Sequence, residues 1–109
     1  MTVEIRILGP IEALRDGVRI EVRGDRQRTL LALLALTPGQ ARPMDRIIDA
    51  MWAEAELPTD PRPAIHTCAS RVRGALGEEV IVSTGGAYAL AVSPLAVDAH
   101  RFERLVDRS

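Results

Sequence analysis

Apolar residues recur along this chain at two different spacings, and the points where the spacing changes divide it into elements. From residue 3 the period is two. Val3, Ile5 and Ile7 alternate with Glu4 and Arg6, the pattern of a strand with one buried face, and Gly9-Pro10 ends it. Residues 11–14 read as a second short strand and Asp16-Gly17 as a favoured hairpin turn. Val18, Ile20 and Val22, alternating with Arg19 and Glu21, form a third strand. A small antiparallel sheet is therefore predicted at the N-terminus. At Asp25 the spacing becomes helical: Leu30, Leu33 and Leu34, flanked by Leu31, Ala32, Ala35 and Leu36, predict a largely buried helix that stops before Pro38-Gly39. A second helix is predicted over residues 45–52, starting at or near Pro43, with Met44, Ile47, Ile48, Met51 and Trp52 turned inward. Trp52 continues that spacing and so reads as a core residue.

The clearest helix lies in residues 60–77. Ile65, Ala69, Val72 and Leu76 recur at i, i+4, i+7 and i+11, one apolar stripe at a 3.6-residue period. The opposite surface carries Arg62, His66, Thr67, Ser70, Arg71, Arg73 and Gly74, with no carboxylate from residue 62 to 77. Asp60 is placed to cap the helix, Pro61 and Pro63 fall in a first turn that does not need their missing N–H groups, and Gly77 suits a left-handed stop. Beyond it Val80, Ile81 and Val82 are strand-like. Residues 83–86 (Ser-Thr-Gly-Gly) form a turn, and Tyr88, Leu90 and Val92 make the return strand. Strand, three helices and hairpin, in that order, predict an α+β winged helix-turn-helix with an N-terminal antiparallel sheet, three helices and a C-terminal β-hairpin wing, occupying residues 1–93. Residues 94–109 are expected to be a linker or the start of a further helical domain. Phe102 and Leu105 mark an amphipathic helix over 98–106 that cannot bury its face alone, so the native chain is expected to be longer.

Composition changes this picture little; charge order changes it more. The 109 residues, 47% hydrophobic, suit one domain with a real core. Net charge is −1, so bulk charge does not demand a polyanionic partner. Its distribution points to one. In residues 23–42 Arg23, Arg26, Arg28 and Arg42 stand against Asp25 alone, and residues 62–77 hold Arg62, Arg71 and Arg73 unopposed. Between them, Arg46 faces Asp45, Asp49, Glu54, Glu56 and Asp60. All fourteen basic residues are arginine, which fits phosphate and guanine recognition but fits a coding bias of the source genome at least as well.

Several classes are disfavoured. The lone Cys68 allows no intrachain disulfide, and a cytoplasmic protein is expected. The longest apolar run, 30–36, is far short of the roughly 18 residues that read as a membrane span, and the N-terminus lacks a signal-peptide pattern. His66 and Cys68, two positions apart, point about 200° apart around a helix, so no metal site is expected, and no cofactor. No catalytic triad, phosphate-cradling glycine loop or paired carboxylates support an enzyme.

Six motifs in this order cover nearly the whole chain: Ile7-Leu8-Gly9-Pro10; Arg26-Gln27-Arg28 before the leucine run; Asp45-Arg46-Ile47-Ile48-Asp49-Ala50-Met51-Trp52; Ser70-Arg71-Val72-Arg73 with Ala75-Leu76-Gly77; Thr84-Gly85-Gly86 with Tyr88; and Asp98-Ala99-His100-Arg101-Phe102-Glu103. Together they resemble the N-terminal DNA-binding domain of the Streptomyces antibiotic regulatory protein family, with its OmpR-type winged helix. The resemblance implies a transcription activator, often of an antibiotic gene cluster, with Asp98 leading toward a helical bacterial transcriptional activator domain. It also implies binding to direct repeats of double-stranded DNA as a head-to-tail dimer, and contact with RNA polymerase through the acidic connection bearing Glu54 and Glu56. The chain departs from the family at Gly74 and Ala89, where an arginine or lysine and an arginine, respectively, are common.

Residue chemistry assigns the roles. A helix about 10–12 Å across fits a major groove about 12 Å wide. Arg71 is expected to read guanine through its planar fork and Thr67 to meet a thymine methyl or a polar edge, with His66 and Ser70 as lesser base contacts. Arg62 and Arg73, toward the two ends, are expected on phosphates, as are Arg26 and Arg28 before the first helix and Thr84, Gly85 and Gly86 at the wing. Tyr88 reads equally as packing or contact. The competing reading is a winged helix used for protein contacts without DNA.

Overall fold

The computed structural model describes residues 3–53, 56–93 and 96–98. The elements run β1 (Val3–Arg6), β2 (Glu12–Arg15), β3 (Val18–Ile20), α1 (Asp25–Ala35), β4 (Arg42–Pro43), α2 (Met44–Met51), α3 (Arg62–Leu76), β5 (Ile81–Thr84) and β6 (Ala87–Leu90). The first three strands form an antiparallel sheet in the order β1-β2-β3, with Ile5 opposite Ala13 and Ala13 opposite Ile20. That register puts Ile5 and Ala13 on the inner face, both fully buried.

The three helices meet where their apolar stripes meet. Leu30, Leu31 and Leu34 of α1, Ile47 of α2, and Ile65, Ala69, Val72 and Leu76 of α3 are all at most 1% exposed, so the stripe read in residues 65–76 is the buried one. Trp52 closes the end of α2 and is buried as expected. The α3 boundaries fall near the expected punctuation, but Pro61, not Asp60, is the N-cap. Asp60 Oδ1 accepts the Arg62 N–H at 3.3 Å, while Gly77 ends the helix at φ 121°, ψ 144° rather than in the αL region. That positive φ is what calls for glycine, because the exposed Glu79 carboxylate, 2.7 Å from a Cβ built at this position, can swing aside.

The hairpin differs from the expectation in two details. Its turn is only Gly85-Gly86, both at positive φ, and Ser83 and Thr84 belong to β5, opposite Tyr88 and Ala87. Two consecutive positive-φ residues make the type I′ geometry whose twist matches the flanking strands. The second sheet also has a third member absent from the sequence reading. Arg42–Pro43 pairs with Tyr88 and Ala87 of β6, giving the order β4-β6-β5. Two residues carry no periodicity, so β4 had no signal. It matters because the Met44 N–H then donates to Gly86 O at 3.1 Å and Gly39 N–H to Leu90 O at 2.8 Å, tying the α1–α2 connection to the hairpin.

The contacts of this unit continue beyond residue 93. Val97 is fully buried and forms a parallel bridge with Ile5. Asp98 accepts the Ile7 and Leu8 N–H groups at 2.7 and 3.1 Å. The helix expected over 98–106 lies, apart from Asp98, outside the described residues, as does Glu54. No described helix is long and apolar enough to cross a membrane.

Candidate nucleic-acid interface

Burying the 65–76 stripe turns the opposite side of α3 outward. Arg62, His66, Thr67, Ser70, Arg71 and Gly74 are all exposed. Thr67 and Arg71, and likewise His66 and Ser70, are four apart, so these side chains stand on one surface. Arg71 makes no ion pair or hydrogen bond with the described residues and borders two open clefts. One, about 390 Å³, lies between the first turn of α1 and the first half of α3, where Arg26, Gln27, Thr67 and Cys68 line it. The other, about 450 Å³, is lined by Arg23, Gly24, Gln27 and Ala75. The guanidinium groups of Arg26 and Arg71 both act on the Cys68 thiol and lower its pKa. Burial acts more strongly in the other direction, so the thiol is held above its ordinary value.

The expected phosphate contacts are less alike than their residue type suggests. Arg62 is exposed near the start of α3. Arg26 is exposed and lies 5.0 Å over the Trp52 ring, a cation–π placement that holds the charge beside α3. Arg28 is half-buried. Its guanidinium donates to Val22 O at 3.1 Å and pairs with Asp25 one turn away, so it anchors the loop into α1. Arg73 is also half-buried: its Nε donates to Ile81 O at 2.9 Å and its guanidinium lies 5.7 Å over Tyr88. The reason is local. Arg73 is four residues after Ala69 and three before Leu76, so it flanks the buried stripe and faces the hairpin. Both arginines keep N–H donors beyond those bonds.

At the wing, Thr84, Gly85 and Gly86 are exposed at the hairpin tip. Tyr88 is buried, and its hydroxyl hydrogen-bonds His66 Nδ1, the two rings meeting edge to face with centroids 5.8 Å apart. Sequence reasoning left Tyr88 undecided and did not connect it to His66. Only the pairing of α3 with β6 brings residues 66 and 88 together. Glu56 is exposed in the connection before α3, on the chain between α2 and the interface.

A helix pair whose second helix bears a basic face, followed by a hairpin that buttresses it, defines a winged-helix domain. No protein-family model matches the chain. It is 42% identical to the regulatory protein AfsR of Streptomyces coelicolor over 84 residues, which is 77% of this chain and 8% of AfsR. It is 30% identical to the transcriptional regulatory protein EmbR of Mycobacterium tuberculosis over 93% of this chain and 28% of EmbR. The solved structure of EmbR in complex with a low-affinity phosphopeptide superposes with a TM-score of 0.81 at 26% identity, covering 92% of this chain and 28% of that one. The DNA-binding domain of CpxR from Escherichia coli superposes with a TM-score of 0.57 at 28% identity, covering 73% of this chain and 81% of that domain. The chain is homologous to regulators of the Streptomyces antibiotic regulatory protein family, AfsR among them, and has the OmpR-type winged-helix fold. It spans under a third of the length of AfsR and of EmbR.

Proposed function

We propose that this domain is the sequence-specific DNA reader of a transcription activator acting on an antibiotic or secondary-metabolite gene cluster. The observation that carries the proposal is the outward face of α3. It has exposed arginines without ion pairs among the described residues, no carboxylate within the helix, and the hairpin packed beside it through Tyr88. With α3 in the major groove, Arg71 meets the O6 and N7 acceptors of a guanine, Thr67 a thymine methyl or polar edge, and His66 and Ser70 adjoining edges. Arg62, Arg26 and the spare donors of Arg73 and Arg28 fall on phosphates, joined by backbone N–H groups around Thr84, Gly85 and Gly86. The regulatory names of its relatives and the DNA-binding domain of CpxR support this reading.

Activation then requires RNA polymerase. The acidic connection bearing Glu54 and Glu56 repels phosphate, and its role in this proposal is to face polymerase. Direct repeats occupied head to tail complete the arrangement. Selecting duplexes from a random pool tests the core of it, followed by titration of the winner at rising salt. Four arginines on phosphates predict a slope of log K against log salt of about −3.6. A domain used only for protein contacts would show no enriched sequence and no such slope, and that result would overturn the proposal.

A further inference from the structure

We infer that Tyr88 of the wing sets His66 of α3 in one tautomer and one orientation, so that His66 presents a hydrogen-bond donor, and only a donor, to the groove. The inference rests on the proposal that α3 faces DNA and adds to it the polarity of one contact and the residue that fixes it.

Tyr88 is 4% exposed, and among the described residues His66 Nδ1 is the hydrogen-bond partner of its hydroxyl. A phenol this enclosed needs an acceptor for its O–H, because an unpaired buried donor forfeits the full desolvation cost. If Nδ1 carried the proton, the tyrosine oxygen would accept it and the O–H would be left without an acceptor among the described residues. With the O–H donating to an unprotonated Nδ1, every group is matched, and the ring's other nitrogen, Nε2, carries the hydrogen. His66 is exposed on the side of α3 that carries Thr67 and Ser70, so Nε2 is the nitrogen left to meet a partner there. The Tyr88 ring is itself held in place. Arg73 lies over it while donating to Ile81 O, and Tyr88 is paired in register with both Ser83 and Arg42. The hydroxyl is thus fixed by two sheet neighbours and a cation from the same helix as His66.

A lone N–H donor discriminates by what it meets. In the major groove it is satisfied by N7 or O6 of guanine, N7 of adenine or O4 of thymine, and it is opposed by the N4 amino group of cytosine. Tyr88 is therefore a positioning residue for specificity, acting through His66 without touching DNA.

The test uses the domain and a duplex chosen by selection, with Tyr88→Phe and His66→Ala assayed against every single-base-pair change in that duplex. Tyr88→Phe keeps the ring and the arginine over it, so thermal melting serves as a control for folding. Discrimination at one base pair, the same pair for both variants, is expected to fall roughly three- to tenfold, the worth of one hydrogen bond, with no further loss in the double variant. Independently, ¹⁵N spectra of the imidazole should show Nε2 protonated and Nδ1 unprotonated in the free wild-type protein, with this preference lost in Tyr88→Phe. An Nδ1–H tautomer in the wild type, or a Tyr88→Phe profile that weakens all duplexes alike, would overturn the inference while leaving the DNA-reading proposal intact. Failure of the wild type to bind any duplex would overturn both.

Discussion

Arg71 and Arg73 stand two residues apart on α3, and replacing each with alanine should have opposite consequences. Arg73→Ala removes a charge-assisted hydrogen bond to Ile81 O, 2.9 Å in length, and a cation placed 5.7 Å from the Tyr88 centroid. For a half-buried group the first is worth about 1.5 kcal/mol and the second about 0.5 kcal/mol. The sum, about 2 kcal/mol, is a sizeable share of the roughly 5–15 kcal/mol that holds a domain together. It should lower Tm by roughly 8 °C or more. Arg71 has no intramolecular hydrogen bond or ion pair among the described residues, so Arg71→Ala should change stability by no more than about 0.5 kcal/mol. The assay is urea unfolding of both variants, with the slope m compared to confirm that only stability has moved. Arg73→Lys sharpens it: the charge stays, but the Nε donor is gone, so most of the destabilisation should remain while affinity for random DNA is largely kept. An unchanged urea midpoint for Arg73→Ala would refute the claim that this residue ties α3 to the hairpin, and with it the reason Tyr88 is held still.

The same pair separates on DNA. Arg71→Ala should relax base preference at one position and cost about 1–3 kcal/mol on the selected site, whereas Arg73→Ala should weaken selected and random duplexes alike except at the base pair that His66 meets; equal losses for Arg71→Ala would overturn its base-reading role. Burial holds the Cys68 thiol above 9.0, so the folded protein keeps that proton when the unfolded chain has lost it. Stability from this group is intact below pH 9 and falls as pH rises above it, and Cys68→Ala should flatten that decline in alkaline urea titrations. Asp98→Ala should cost about 1–2 kcal/mol and speed amide exchange at Ile7 far more than at Ile81, since it deletes the acceptor of the Ile7 and Leu8 N–H groups. Reversing the charge of Glu54 and Glu56 should lower transcription in a reporter assay while leaving DNA affinity unchanged; undiminished transcription would count against a polymerase contact.

Periodicity carried the architecture because it is a one-dimensional record of which side is dry. Ile65, Ala69, Val72 and Leu76 could face a core in only one way once helical, and their fourfold burial set the exposure of Arg62, Thr67, Ser70 and Arg71 without any further information. The alternation in residues 3–7 and the Asp16-Gly17 turn located the first sheet for the same reason. Contacts between elements leave no such record. A two-residue strand at Arg42–Pro43 has no period to detect, and the docking of Val97 and Asp98 on β1 joins residues about ninety positions apart. The same holds for the site. Arginine type and helical face could be read from spacing. That Arg28 and Arg73 are partly committed inside the protein, Arg26 rests on Trp52 and Tyr88 grips His66 depends on where α1, α3 and the hairpin come to rest. Local order in the chain fixes which face of each element is apolar, but side-chain partners across elements are decided by packing, where small shifts of a helix against a sheet select one hydrogen bond over another.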